Sequence, residues 1–403
     1  MTEIDDIIAS ERFKAAAQAV RDNHDRFVED IVTLTEIPAP PFKEEVRAQA
    51  YEKMFRAEGL EDVHRDGIGN VLGLRRGRGN GRMIVVAAHL DTVFPEGTDC
   101  TVRREGTKLF APGVGDDTRG LAALLLFMRS LDAAGIETEN DLLFVGNLGE
   151  EGKGDLRGTR FLFTEGEYRD KIDAFFTVDG LSLDRLTTGG VGSYRYHIAF
   201  KGPGGHSLMA FGTVNPAHAM AHVITGLSKL DVPAKPRTTY CASVMGGGTS
   251  INAIPNAVWL EVDLRSEDPA ELDKIDAALH RLIEEGVKNE NARGDTTSGV
   301  ISAEPERIGN RPAGSTALDS RIVEATTAAL KAYGFEARPE FSSTDANIPM
   351  SLGIPAVRLG AGGNGGREHS LEEWIDVEPE YSTKGLTAGL AAIIGTAGLW
   401  QAE

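Results

Sequence analysis

The stretch MIVVAAHLD, residues 83–91, places six apolar residues directly before a histidine and, two positions later, an aspartate. A short apolar run of this kind is typical of a buried strand in a parallel sheet. Ligand sites of open α/β sheets lie just beyond the carboxyl ends of such strands. His89 and Asp91 occupy that position, and they share one face because side chains alternate along a strand. The stretch therefore predicts an α/β sheet with a polar site at its strand ends.

Strand and helix patterns alternate on both sides of this run. Helical periodicity covers residues 7–35 and 43–59 before it. From residue 68 to 180 the alternation predicts a mostly parallel sheet flanked by helices. The predicted elements are strands at 70–74, 83–88, 141–148 and 174–178, and a helix at 119–134.

The pattern changes near residue 188. A strand, a helix, two strands, a second helix and a final strand near 299–304 predict an inserted α+β domain of ferredoxin-like type at residues 188–306. The α/β pattern then resumes. Because 403 residues exceed the length at which single cores stop growing, two domains are expected. Residues 1–187 and 307–403 are predicted to form one domain that the insert divides in sequence.

Composition narrows the class of protein. The formal net charge of −19 repels phosphate backbones and disfavours nucleic-acid binding. The apolar runs are shorter than the roughly 18 residues of a membrane span, so no membrane protein is expected. Two cysteines are too few for a disulfide framework and fit a reducing compartment. The first residues lack the pattern of a secretory signal, so cytoplasmic residence is expected.

Other acidic residues and a second histidine also follow predicted strands or begin a helix. Each has an ordinary alternative explanation, as a surface polar residue, a helix N-cap or a solvated acidic loop. Their joint placement at strand ends predicts a metal site instead, and their oxygen and imidazole groups suit zinc, cobalt or manganese. These residues are Asp116, Glu150, Glu151, Asp179 and His369.

The charges of this set fit two divalent cations. Asp116, Glu151 and Asp179 carry −3 against +4 from two such ions. A carboxylate such as Asp116 can bridge two cations about 3.5 to 4 Å apart. Glu150 and Glu151 diverge at a strand end, so that one can bind metal while the other faces a substrate. With Glu150 moving a proton to a leaving nitrogen, hydrolysis of an amide is the expected reaction.

The motifs HLDT (89–92), GDDTRG (115–120), GEEG (149–152), VDG (178–180) and EHS (368–370) resemble, in order, those of the M20 family of metallopeptidases. The resemblance spans nearly the whole chain and implies a zinc-peptidase-like catalytic domain. By this likeness one metal is held by His89, Asp116 and Asp179, and the other by Asp116, Glu151 and His369. Glu150 is the implied general base and Asp91 the implied support of His89. The Asp116–Asp117 peptide is implied to be cis.

The same resemblance makes the insert a lid and dimerisation domain, and hence implies a homodimer through residues 188–306. His206 is implied to reach the substrate and to donate to the oxyanion, although a plain loop histidine is the simpler alternative. Asn252 and Arg265 look like further substrate contacts. Simple ion pairing explains Arg265 equally well.

The substrate stays open at the level of sequence. Asp at position 179 is more typical of peptidases resembling peptidase T and the dipeptidases, which favours hydrolysis of short peptides. An N-acyl or N-carbamoyl amino acid amidohydrolase is the alternative. A catalytically silent binding protein of the same fold is a third hypothesis, which the presence of every ligand position and of the base disfavours.

Overall fold

The computed structural model describes residues 3–79 and 81–400. The chain divides into two compact units. The first contains the residues up to Gly190 together with those from Ser315 onward, and the second runs from Val191 to Gly314. No helix in the described part of the chain is long and apolar enough to cross a membrane.

The first unit begins with helices and continues into strands that alternate with helices. Its opening helices are α1 (Glu3–Ala9), α2 (Glu11–Asp22), α3 (His24–Thr35) and α4 (Glu45–Ala57). The elements that follow are β1 (Glu61–Arg65), β2 (Val71–Arg75), β3 (Met83–His89), β4 (Arg103–Glu105), β5 (Lys108–Phe110), α5 (Thr118–Ala133), β6 (Asp141–Asn147), α6 (Arg157–Thr164), β7 (Ile172–Val178) and β8 (Arg185–Gly190).

The second unit contains two longer helices, a four-stranded sheet and a two-stranded sheet. Its elements are β9 (Gly192–Lys201), β10 (Gly205–His206), α7 (Pro216–Leu227), β11 (Thr238–Gly247), β12 (Ala253–Ile254), β13 (Ala257–Ser266), α8 (Pro269–Arg293) and β14 (Ser302–Arg311). The remaining elements of the chain are β15 (Gly314–Ser315), α9 (Arg321–Ala332), β16 (Arg338–Ser342), α10 (Asn347–Ser351), β17 (Ala356–Leu359), β18 (Asn364–Gly366), β19 (Trp374–Asp376) and α11 (Pro379–Ala397).

The continuous helical pattern predicted over residues 7–35 is wrong, because the structure divides it among α1, α2 and α3. Ser10 interrupts the first turn of the pattern: its Oγ accepts from Phe13 N at 3.1 Å and caps α2. Asn23 ends α2, since both its backbone and its side-chain nitrogen donate to Ala19 O. Both residue types compete with helical hydrogen bonds through their side chains, which apolar periodicity does not register.

The large sheet of the first unit is parallel at its centre. Its strand order is β1-β2-β6-β3-β7-β17-β8-β15, with β16 beside β8. Strand β3 runs parallel to both β6 and β7, and β17 runs parallel to β7. The carboxyl ends of these four strands therefore meet at one edge of the sheet. The register pairs His89 with Asn147 and Val178 with Leu359, which brings the segments that follow these strands together.

Both faces of this sheet are covered, which explains the unbroken apolar runs in its sequence. Every residue of β3 and β6 is buried. Ile84, Val86 and Ala88 belong to one apolar cluster, while Met83 and Val85 belong to another. A sheet buried on both faces therefore supports the strand ends.

The second unit has the order β-α-β-β-α-β in its main elements. Its four-stranded antiparallel sheet has the strand order β11-β13-β9-β14, as in ferredoxin-like folds. Helices α7 and α8 contact this sheet over one apolar cluster. The predicted final strand at 299–304 is too short, because β14 pairs with β9 from Ser302 to Arg311. A boundary at residue 306 therefore cuts through this strand.

Candidate metal centre

The carboxylate of Asp116 lies between two histidines. Its Oδ1 is 2.8 Å from His89 Nε2, and its Oδ2 is 2.9 Å from His369 Nε2. His369 Nε2 is also 3.0 Å from Glu151 Oε1. The peptide bond between Asp116 and Asp117 is cis, as the resemblance implies. The structure thus brings four of the predicted site residues together, with Asp116 at the centre.

The charges around this carboxylate are strongly coupled. Burial raises the pKa of Asp116, but hydrogen bonds from His369 and His89 outweigh it and hold the pKa below its usual range. Hydrogen bonds to Asp116 and Glu151 raise the pKa of His369 to about 11. Burial raises the pKa of Glu151. The site therefore favours positive charge beside its carboxylates.

The donor set fits divalent cations. One ligand atom each from His89, Asp116 and Glu151 can be chosen so that all three lie within 4.8 Å of one another. The Nδ1 atom of His89 is 2.9 Å from the backbone oxygen of Asp91. A proton on Nδ1 leaves the lone pair on Nε2, the nitrogen that faces Asp116, as a metal-binding imidazole requires. Imidazole and carboxylate ligands suit zinc, cobalt and manganese.

Asp91, the implied support of His89, lies next to it through its backbone oxygen. The side-chain Oδ1 of Asp91 is 3.8 Å from His89 Nδ1. Instead, Oδ1 accepts from Glu150 N at 3.0 Å and Oδ2 accepts from Glu151 N at 2.8 Å. The backbone oxygen of Asp91 thus faces the imidazole, while its carboxylate faces the backbone of the two glutamates. Asp91 therefore holds the turn that carries both glutamates.

Asp179 follows β7 at the same edge of the sheet, and its backbone nitrogen donates to Leu359 O. Its Oδ2 lies 3.7 Å from Arg358 Nε. The negative charge of Asp179 contributes to raising the pKa of Asp117, after the larger effect of burial. Asp179 is thus near the cluster, with its carboxylate beside an arginine.

Glu373 is a buried acidic residue of the site that the sequence did not single out. Its Oε2 accepts from Gly113 N at 2.9 Å, and its Oε1 accepts from Gly115 N at 2.7 Å and Asp116 N at 2.9 Å. Burial raises the pKa of Glu373 to about 7. Its position four residues after His369 is the only sequence signal that could have suggested it.

Asp345 is another fully buried carboxylate near the strand ends. It accepts from Asn147 Nδ2 and from Thr159 Oγ1, each at 2.6 Å. Burial raises the pKa of Asp345 to about 6. Asn147 is the last residue of β6 and pairs with His89, so Asp345 stabilises the strand end that precedes Glu150.

The predicted substrate contacts His206, Asn252 and Arg265 lie in the second unit. Exposed His206 ends β10, and its Nδ1 faces the backbone nitrogens of Leu208 at 3.2 Å and Met209 at 3.4 Å. Asn252 Oδ1 accepts from Ser250 Oγ at 2.6 Å. Arg265 Nε donates to Asp263 Oδ2 at 2.6 Å, which is the ion pairing that sequence left open.

Comparison with known proteins agrees with this geometry. The model of the peptidase family M20/M25/M40 matches residues 85–393. The chain is 25% identical over 361 residues to succinyl-diaminopimelate desuccinylase of Corynebacterium glutamicum, covering 86% of this chain and 90% of that protein. It is 26% identical over 312 residues to carboxypeptidase G2 of Pseudomonas sp. (strain RS-16), covering 76% and 72%.

Among solved structures, the fold resembles aminopeptidase PepT from Bacillus cereus ATCC 10987. The TM-score is 0.74 at 21% identity, over 93% of this chain and 99% of that one. The chain belongs to the peptidase family M20/M25/M40, and the matched residues 85–393 include all five motifs that carry the proposed ligands. It is a metal-dependent hydrolase of amide bonds.

Proposed function

We propose that this chain hydrolyses amide bonds in short peptides with two divalent metal ions, most naturally zinc. One observation carries the proposal: each oxygen of the Asp116 carboxylate faces the Nε2 atom of a different histidine. A carboxylate is suited to bridging two cations when a potential ligand nitrogen lies close to each of its two oxygens. His89 and Asp179 would complete one site, and Glu151 and His369 the other. Cobalt or manganese suits the same donors.

Glu150 is the proposed general base. Bound metal ions lower the pKa of water and polarise a carbonyl group. Glu150 would take the proton from the attacking water and pass it to the leaving nitrogen. Asp91 supports this role, because its carboxylate binds the backbone nitrogens of Glu150 and Glu151 and fixes their turn.

The test compares two neighbouring substitutions. Glu150→Ala should keep both metal ions and lower kcat by about 10² to 10⁴-fold, the usual contribution of a general base. Glu151→Ala is the matched control and should lose metal affinity. Metal content is measured by mass spectrometry and turnover on a peptide substrate. A Glu150→Ala variant with near wild-type turnover would show that the base is assigned wrongly.

A second candidate substrate is an N-acyl or N-carbamoyl amino acid. The relative that supports it is the desuccinylase, which aligns with 86% of this chain. Incubating the metal-loaded protein with a mixture of di- and tripeptides and of N-acyl and N-carbamoyl amino acids separates the candidates. Mass spectrometry identifies which components are consumed. Consumption of the acyl or carbamoyl compounds alone would move the assignment to this second class.

We also propose that residues 188–306 form a lid and a homodimer contact, in a cytoplasmic protein. Strand β11 is an edge strand with exposed Val244 and Met245, and such edges readily pair with another chain. His206 would donate from Nε2 to the oxyanion, since its Nδ1 accepts from backbone nitrogens. Asn252 and Arg265 stay predicted substrate contacts. A monomeric mass in light scattering would refute the dimer.

A further inference from the structure

Glu373 joins two loops that carry proposed metal ligands. It lies on the loop of His369, and its carboxylate accepts from Gly113, Gly115 and Asp116 on the other loop. The two loops are 257 positions apart in sequence at the bond between Asp116 N and Glu373. The backbone continues the connection, because Ala111 N donates to Glu373 O at 3.1 Å.

The fit between Glu373 and the Asp116 loop is close. The Glu373 side chain has no exposed surface. A Cβ atom added to Gly115 would lie 3.1 Å from Glu373 Oε1, so a larger residue there would press on the carboxylate. Three backbone donors converge on its two oxygens, which fixes the path of residues 113–116 relative to the carboxylate. A flexible contact at the protein surface would not constrain the loop in this way.

We infer that Glu373 is a positioning residue that sets the spacing between Asp116 and His369 required for binding two metal ions. This inference rests on the proposed two-metal function. The contact it controls is the 2.9 Å approach of His369 Nε2 to Asp116 Oδ2. Glu373 accepts from the backbone of Asp116, and the side-chain oxygens of Asp116 stay directed at the histidines. Glu373 therefore acts through the ligands and needs no contact with the metal ions.

The test is Glu373→Gln, which keeps the size of the side chain but replaces one acceptor oxygen by a donor. At least one of the three backbone nitrogens then loses its acceptor. We expect the affinity for the metal ion proposed to bind Glu151 and His369 to fall by about 10 to 100-fold. This is the size of effect that the free-energy cost of one unsatisfied buried donor produces. Cobalt titration, followed by visible absorption and mass spectrometry, reports both stoichiometry and ligand geometry. The visible spectrum of the variant should change.

Glu290→Gln is the matched control, because Glu290 is also buried and accepts from a backbone nitrogen, that of Asn215, at 2.7 Å. It lies in the second unit, which holds none of the proposed metal ligands. This variant should bind cobalt like the wild type. Glu373→Asp keeps the charge with a shorter reach, so it should show an intermediate affinity. If Glu373→Gln does not fold, the same cobalt titration of Glu373→Asp tests whether Glu373 affects metal affinity.

Two results would overturn the inference. One is cobalt binding by Glu373→Gln and Glu373→Asp within about twofold of wild type. The other is an equal loss of affinity in Glu290→Gln, which would indicate a general effect of destabilisation. Failure of the proposed function looks different, because the wild-type protein itself would then bind fewer than two ions or hydrolyse no amide.

Discussion

Replacing Asp91 by Asn tests how the turn of the two glutamates is held. Asp91 is fully buried, and its two oxygens accept from Glu150 N and Glu151 N at 3.0 and 2.8 Å. Asn keeps one acceptor and turns an NH₂ group toward the other backbone nitrogen. One buried donor is then unsatisfied, which costs about 1–3 kcal/mol. If this cost falls on the transition state, kcat decreases by about 5 to 150-fold.

The assay is steady-state hydrolysis at saturating metal, together with a metal titration. Because Asp91 contacts His89 through its backbone oxygen, Asn should keep that hydrogen bond, and excess metal should not restore kcat. Asp66→Asn is a matched control, since Asp66 Oδ1 also accepts from backbone nitrogens, in the turn before β2. It should leave kcat unchanged. Full recovery of kcat in Asp91→Asn at high metal concentration would refute this reasoning. It would indicate instead that Asp91 acts by supporting the ligand His89.

Two further predictions concern a buried carboxylate and the second unit. The rise of the Asp345 pKa from 3.8 to about 6 corresponds to about 3 kcal/mol. The folded state favours the protonated form of Asp345. Its contribution to the free energy of unfolding is therefore complete below pH 4 and is lost as the pH rises through 6. The difference in unfolding free energy between wild type and Asp345→Asn, measured in urea, should fall by that amount from pH 4 to 7; a constant difference would contradict it. His206→Ala should lower kcat by about 10² to 10³-fold and leave metal content unchanged. An unchanged kcat would identify a plain loop histidine.

Apolar runs predicted much of the sheet. Strand β6, Asp141–Asn147, ends one residue before its predicted bound, and β3 extends only to the adjoining His89. The parallel register explains why sequence could also group the ligand candidates: residues that follow parallel strands meet at one edge. The lengths of α1 to α3 and β14 were not predictable in this way, because side-chain caps and strand pairing determine where those elements end.

Contacts between distant segments account for what sequence missed at the site. Glu373 contacts a loop more than 250 positions away, and Asp345 contacts Asn147 across 198 positions. No periodicity marks such pairs. The motif around Asp91 did predict its neighbourhood, but the choice between its backbone and side-chain oxygens depends on how the chain turns after β3. That turn is visible only in three dimensions.

The most direct test of the two-metal site is the metal content of Asp116→Ala. Asp116 contacts both histidines through different oxygens, so its removal should weaken both ions together. After loading with cobalt, mass spectrometry of the folded wild-type protein should find two ions per chain, and the variant should bind neither with wild-type affinity. An Asp116→Ala chain that keeps one ion at wild-type affinity would contradict the bridging role.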